Sequence, residues 1–162
     1  MFFWFLGLSF AAVLAVFSSP ALDYRLVMLG GVAPAIEGLF GGPWMLHTLL
    51  APVALMALVM ALTQNRRLFR RQWLGLPIGL FMHLVLDGSW ADSKVFWWPF
   101  LGVSDVLGGS AVNEFERSVP VVIGMELVGL VVLLFLIDRL ALRTEGRELF
   151  MSSGQILRSR ME

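Results

Sequence analysis

Four apolar runs constrain this chain more than any other feature of its sequence: Phe2 to Phe17, Leu46 to Leu62, Trp73 to Leu86 and Val119 to Ile137. A hydrocarbon layer ~30 Å thick asks for about 20 apolar residues in a helix, and flanking polar residues carry a shorter run into the interface. The 162 residues are 58% hydrophobic and 15% charged, too apolar for an ordinary soluble domain of this length. The runs predict an all-α polytopic membrane protein with four transmembrane helices. Ser19-Pro20-Ala21 faintly resembles a cleavage site, but no Lys or Arg precedes the first run, so it reads as a retained helix. A fifth stretch, Leu26 to Phe40, carries Gly30, Gly31, Pro34, Glu37 and Gly38. Such residues break a span, and irregular backbone at membrane depth needs protein or water around it, so a re-entrant or interfacial segment is expected near residues 22–42.

The net charge of zero hides a strong segregation along the chain. Arg66, Arg67, Arg70 and Arg71 fill the connection between the second and third runs, and Arg139, Arg143, Arg147, Arg158 and Arg160 follow the fourth. The other connections hold Arg25, Lys94 and Arg117 against Asp23, Glu37, Asp87, Asp92, Asp105, Glu114 and Glu116. Basic residues beside spans are retained on the cytoplasmic side. Location in a bacterial cytoplasmic (inner) membrane is expected, multi-pass, with both termini cytoplasmic. No repeat or linker divides the chain. Residues 1–140 read as a single membrane domain, and 141–162 as a cytoplasmic Arg-rich tail touching anionic inner-leaflet lipids. Nothing in the charge pattern supports nucleic-acid binding.

With no cysteine in the chain, any metal must be held by His, Asp or Glu. There are two histidines. His47 opens the second run and His83 lies toward the end of the third, so antiparallel neighbours would bring both to one depth. His83 and Asp87 are four apart and share a helix face. A rise of ~1.5 Å per residue from Arg71 places Asp87 about 24 Å up, short of the ~30 Å boundary, where an unpartnered carboxylate is costly. Ionisable groups at such depth mark functional sites. Two plainer readings stand beside this one. A histidine at a helix start serves as an interfacial packing group, and a His83 to Asp87 hydrogen bond explains that spacing equally well. Glu37, in the Gly/Pro-rich segment just before His47, is placed to fold over the cluster.

The order Gly30, Pro34-x-x-Glu37, His47-Thr48, His83-x-x-x-Asp87 and Trp98-Pro99-Phe100 resembles the bacterial membrane-bound metal-dependent hydrolases often labelled LexA-regulated. The resemblance covers roughly Leu22 to Phe100. That family shows Gly-x-x-x-Pro-Asp-x-Asp, His-Arg-x-x-Thr-His-Ser, and a later His-x-x-x-Asp before an aromatic Pro-Phe stretch. In this chain Ala35 and Glu37 stand where the family has its two Asp, and Gly42-Pro43 stands in place of His-Arg. The resemblance implies a hydrolase without defining a substrate.

Combined, these readings make His47, His83, Asp87 and Glu37 a mixed nitrogen and oxygen set for a divalent metal, Zn²⁺ first, with Mn²⁺ or Fe²⁺ also accommodated. Glu37 and Asp87 are the candidate catalytic groups, Glu37 as a base. Arg25, Asp92 and Lys94 are candidates to orient the headgroup of an amphiphilic substrate, with lipid-headgroup contact as their plainer role. Trp90, Phe96, Trp97, Trp98 and Phe100 read as an outer interfacial belt, or less simply as a substrate platform. Glu126, about one and a half turns into the fourth run, needs a partner and is placed to approach the histidines. The expected function is a metal-dependent hydrolase open to the extracytoplasmic face. The alternative is a noncatalytic membrane scaffold or subunit, and a stand-alone transporter ranks third. Oligomeric state is not legible.

Overall fold

A computed structural model describes residues 1–40, 44–91, 93–101, 117–157 and 159, with the side chains of 38–40 left out. The fold is all-helical, with no strand among the described residues. Its helices are α1 (Phe3–Phe17), α2 (Tyr24–Val32), α3 (Leu50–Leu62), α4 (Arg67–Trp73), α5 (Gly75–Asp87), α6 (Ser93–Phe96), α7 (Val119–Arg139) and α8 (Arg147–Ser153). Short 3₁₀ segments cover Ala33–Phe40, Met45–His47 and Ser89–Ala91.

The expectation of four transmembrane helices is not met. Among the described residues only α7, 21 residues long, is long and apolar enough to cross a membrane. The runs that looked like spans contain shorter helices: 15 residues in α1 and 13 in each of α3 and α5. Thirteen residues rise only ~20 Å, well short of ~30 Å of hydrocarbon. Local sequence sets these limits. Ser18 turns left-handed at φ 42 just past the first run and Gly88 at φ 83 just past the third, so α1 and α5 stop where their apolar runs end and gain no length from flanking residues.

The re-entrant segment is also replaced. Asp23 caps a regular helix, accepting the amide hydrogen bond of Arg25 at 3.0 Å, and α2 then runs through Gly30 and Gly31 without a break. Those glycines let helices touch. A Cβ at Gly30 would lie 2.8 Å from the Leu80 nitrogen, and one at Gly79 would lie 2.8 Å from the Val27 carbonyl carbon. Asp23 abuts Gly75, Val27 abuts Gly79, and Gly31 reaches His83. Helices α2 and α5 are therefore parallel and in register, one turn for one turn.

A second close contact joins α1 to α7 at Gly7 and Gly129, where each glycine faces the other helix's backbone. Phe10, Val13, Leu22, Tyr24, Leu133, Leu136 and Leu140 close the core below it. Glu126 does not join the histidines as expected. Its carboxylate accepts hydrogen bonds from the amides of Phe2, Phe3 (2.6 Å) and Trp4 (3.4 Å), the donors a helix start leaves unsatisfied. Glu126→Ala should therefore cost about 1–2 kcal/mol of stability, the worth of a helix cap. Its check is the unfolding midpoint in detergent, with Glu126→Gln recovering part of the loss.

These contacts set two ends. Arg117 touches both Met1 Sδ and Asp87, so the start of α1 lies beside the end of α5. The Tyr24 amide donates to Gly154 at the opposite end, where Leu142 and Ile156 are buried. The start of α1 and the stretch around Gly154 thus lie at opposite ends of the bundle. Leu142 and Ile156 are buried in the core, with Phe150 packed against it.

Candidate metal centre

Helix α5 carries His83 and Asp87 on the face that α1 and α2 cover, and both are buried, His83 at 1% exposure. Parallel packing with α2 brings the Gly31 carbonyl to His83 Nδ1 at 2.7 Å. A carbonyl only accepts, so Nδ1 carries the proton and Nε2 carries the lone pair. Phe5 of α1 covers the ring at a centroid distance of 3.9 Å. His47, also buried, comes from the 3₁₀ turn before α3 and meets His83 edge to face at 5.2 Å.

Glu37 organises that turn. One carboxylate oxygen accepts from the amide of Leu46 at 2.9 Å, and the other accepts from the amide of Trp44 and from His47 Nδ1, each at 2.9 Å. Burial pushes the Glu37 carboxyl up, but the His47 and backbone hydrogen bonds outweigh it and hold the group below its ordinary value. The stabilisation this shift represents is present above the ordinary carboxyl pKa and is lost as pH falls through the lowered one. Glu37 was expected as both ligand and base. Its oxygens are instead turned to the turn's own donors and to the histidine, where it fixes His47 with Nε2 as the lone-pair nitrogen.

Asp87 completes the group. Its Oδ2 accepts from Ser89 Oγ at 3.1 Å, and Arg117 lies 3.4 Å from Oδ1 while donating to the Asp87 carbonyl at 2.7 Å. Each carboxylate oxygen keeps capacity for a further partner. His47, His83 and Asp87 each offer one ligand atom, and these atoms lie within 4.8 Å of one another. Ligands bound at ~2.0–2.1 Å to one tetrahedral ion stand roughly 3.4 Å apart, so the group is near that spacing. It can hold a metal ion. The donor chemistry fits as well: two imidazoles pinned through Nδ1 by an acceptor, and one carboxylate.

The substrate candidates fare differently. Arg25 lies at the far end of α2, paired with Asp23 at 3.0 Å and donating to the carbonyls of Met151 (2.6 Å) and Ser152 (3.4 Å). It belongs to the packing of the C-terminal segment. Lys94 is exposed on α6. Asp92 lies outside the described residues, as do Gly42 and Pro43. Phe5, Gly31, Ser89 and Arg117 were not foreseen as neighbours of the site. Only Gly31 left a signal, as part of a small-residue pair that permits close backbone approach. Compared with known proteins, the chain matches no family model, no curated protein and no solved structure.

Proposed function

We propose that this chain is a membrane-bound, zinc-dependent hydrolase of a bacterial cytoplasmic membrane, acting on an ester or phosphoester at the extracytoplasmic side. The observation that carries the reading is the buried convergence of His47, His83 and Asp87. A cluster of this kind in an apolar interior is a default functional site. Membrane location is supported by α7, 21 residues long with most of its apolar side chains exposed. Orientation is supported by the arginines. Arg66, Arg67, Arg70 and Arg71 around α4, and Arg139, Arg143 and Arg147 from the last residue of α7 onward, gather at the end away from the site, which the basic-residue rule assigns to the cytoplasm.

When bound, Zn²⁺ supplies Lewis acidity, lowering the pKa of water and polarising an ester or phosphoryl oxygen. The chain supplies the rest. Gly31 and Glu37 hold the two imidazoles in the Nδ1–H form with Nε2 inward, Asp87 adds negative charge, and Phe5 shields the face of His83 from water. Hydrolysis adds the water oxygen to the acyl carbon or phosphorus, breaks its bond to the leaving oxygen, and returns a proton to the released alcohol. Glu37 is a positioning residue here. The sequence departures at Ala35 and Gly42-Pro43 favour a second reading, a noncatalytic membrane scaffold or subunit.

One assay separates the two. Purified protein reconstituted with Zn²⁺ or Mn²⁺ should hydrolyse ester or phosphoester substrates, lose activity with a chelator and regain it with metal. Glu37→Gln should weaken metal affinity about 10–100-fold, the usual effect of removing the carboxylate behind a metal-bound histidine, and excess metal should restore turnover. If Zn²⁺-loaded protein turns over no ester or phosphoester, the scaffold reading stands instead.

A further inference from the structure

Helix α7 changes character over its last turn. Leu134, Ile137 and Asp138 share one face by their spacing, apolar at the first two and charged at the third. Beyond Arg139 the chain folds back. Ala141 takes a left-handed φ of 51, and the Leu142 amide returns to the Ile137 carbonyl at 3.0 Å, the closing bond of a Schellman turn. The Ala141 carbonyl then accepts from the amides of Thr144 and Gly146, each at 3.0 Å. This turn sets Arg143 and Thr144 beside the end of α7, and together Leu134, Ile137, Asp138, Ala141, Arg143 and Thr144 line a cleft of about 480 Å³. That volume falls within the roughly 300–1,000 Å³ of small-molecule sites. Two of the lining side chains are of opposite sign and do not pair. Among the described residues, neither the Asp138 carboxylate nor the Arg143 guanidinium makes an ion pair or a side-chain hydrogen bond.

We propose that this cleft seats the headgroup of a phosphatidylethanolamine-type lipid, its ammonium on Asp138 and its phosphate on Arg143, with an acyl chain running past Ile137 and Leu134. The inference rests on the membrane location proposed above and is independent of the metal centre, which lies at the other end of the bundle. The charges select the head. A lone anion entering the cleft is repelled by Asp138, and a lone cation by Arg143, whereas a ligand carrying both charges complements both walls. A primary ammonium also has hydrogen-bond donors for the carboxylate. The quaternary ammonium of a choline head has none, and the lining offers no aromatic ring for it to sit against. The apolar wall selects a lipid over a soluble zwitterion. Leu134 lies about 6 Å along the axis from Asp138 and is 45% exposed, so the wall beside the charges continues onto the bare apolar face of α7.

The experiment uses the full chain, metal-free, in vesicles of phosphatidylethanolamine, phosphatidylcholine and phosphatidylglycerol in equal parts, with a trace of one of the three bearing a diazirine close to its ester carbonyl. After photolysis, labelled peptides are mapped by mass spectrometry. The phosphatidylethanolamine probe should label residues 134–144 about threefold more than either other probe, the preference that a partly exposed charge pair gives. All three should label the exposed face at Val121 and Ile123, near the other end of α7, equally. Asp138→Asn keeps the shape and removes the charge. It should bring phosphatidylethanolamine labelling of 134–144 down to that of phosphatidylcholine and raise that of phosphatidylglycerol, while Arg143→Gln should lower labelling by all three. Both positions are exposed, and unchanged labelling at Val121 and Ile123 reports that each variant is folded in the bilayer. Equal labelling of 134–144 by the three probes, or a preference that survives Asp138→Asn, overturns the proposal. So does loss of the excess to glycerophosphoethanolamine at the concentration of the lipid, because the same head without its chains would then be ligand enough. A chain whose α7 no probe labels would overturn the membrane reading as well; a labelled α7 with no preference at 134–144 overturns the lipid site alone.

Discussion

Replacing both His47 and His83 with alanine is expected to reduce metal content from near one ion per chain to background, while helicity is retained. The measurement is elemental analysis of detergent-purified protein, reconstituted with Zn²⁺ or Mn²⁺ and washed, beside circular dichroism of the same samples. Two of three donor groups disappear, and the remaining Asp87 already accepts from Ser89 and faces Arg117. A lone carboxylate so occupied cannot retain an ion through washing. The fold should be weakened but not lost. His83→Ala opens space beneath Phe5 and strands the Gly31 carbonyl, a loss of about 1–3 kcal/mol for the unmade hydrogen bond. His47 sits in a turn that Glu37 still holds through the amides of Trp44 and Leu46. Wild-type protein that retains no metal after reconstitution, or a folded double variant that retains as much, would end the metal-centre reading.

The site was legible because its logic is one-dimensional. His83 and Asp87 share a helix face by spacing alone, and a carboxylate and two imidazoles in apolar runs need partners wherever the chain goes. What the sequence hides is which partners. Glu126 needed one, but that it would cap α1 depends on α1 and α7 running side by side through Gly7 and Gly129. Glu37 was correctly placed over the histidines, yet its role changed because nearby amides compete for the same oxygens a metal would use. Arg25 was assigned to the wrong end for a related reason. Gly30 and Gly31 read as breakers, whereas in a packed bundle a glycine pair is a contact surface, so α2 persists and carries Arg25 away from the site. Span count failed on length. The runs Phe2 to Phe17 and Trp73 to Leu86 already fall short of about 20 residues, and the left-handed turns at Ser18 and Gly88 keep α1 and α5 from being extended past them by flanking residues.

A single methyl at Gly79 should damage both fold and site. In the present packing a Cβ there meets the Val27 carbonyl and lies 3.0 Å from the Gly31 nitrogen, and all of these atoms are helix backbone. Backbone on a packed helix cannot rotate aside as a side chain does, so Gly79→Ala must push α2 and α5 apart. Overpacking of this kind costs about 3 kcal/mol or more when nothing can yield. The control is Gly124→Ala in α7, where a Cβ meets nothing within 4 Å and the better helix propensity of alanine should leave stability unchanged or raised by up to about 1 kcal/mol. The effect on function follows from register. Val27 to Gly31 is one turn of α2, Gly79 to His83 is one turn of α5, and the parallel packing that presses Val27 on Gly79 also sets Gly31 on His83 Nδ1. Forcing the first pair apart lengthens the second contact and releases the imidazole that it orients. Gly79→Ala should therefore lower the unfolding midpoint and weaken Zn²⁺ affinity together, about 10-fold or more for the affinity if losing this contact matches the loss of any partner behind a metal-bound histidine. A variant that melts earlier yet binds metal as the wild type does would show that the Gly31 contact packs His83 without tuning it. One that does neither would show that α2 and α5 are not held at this separation.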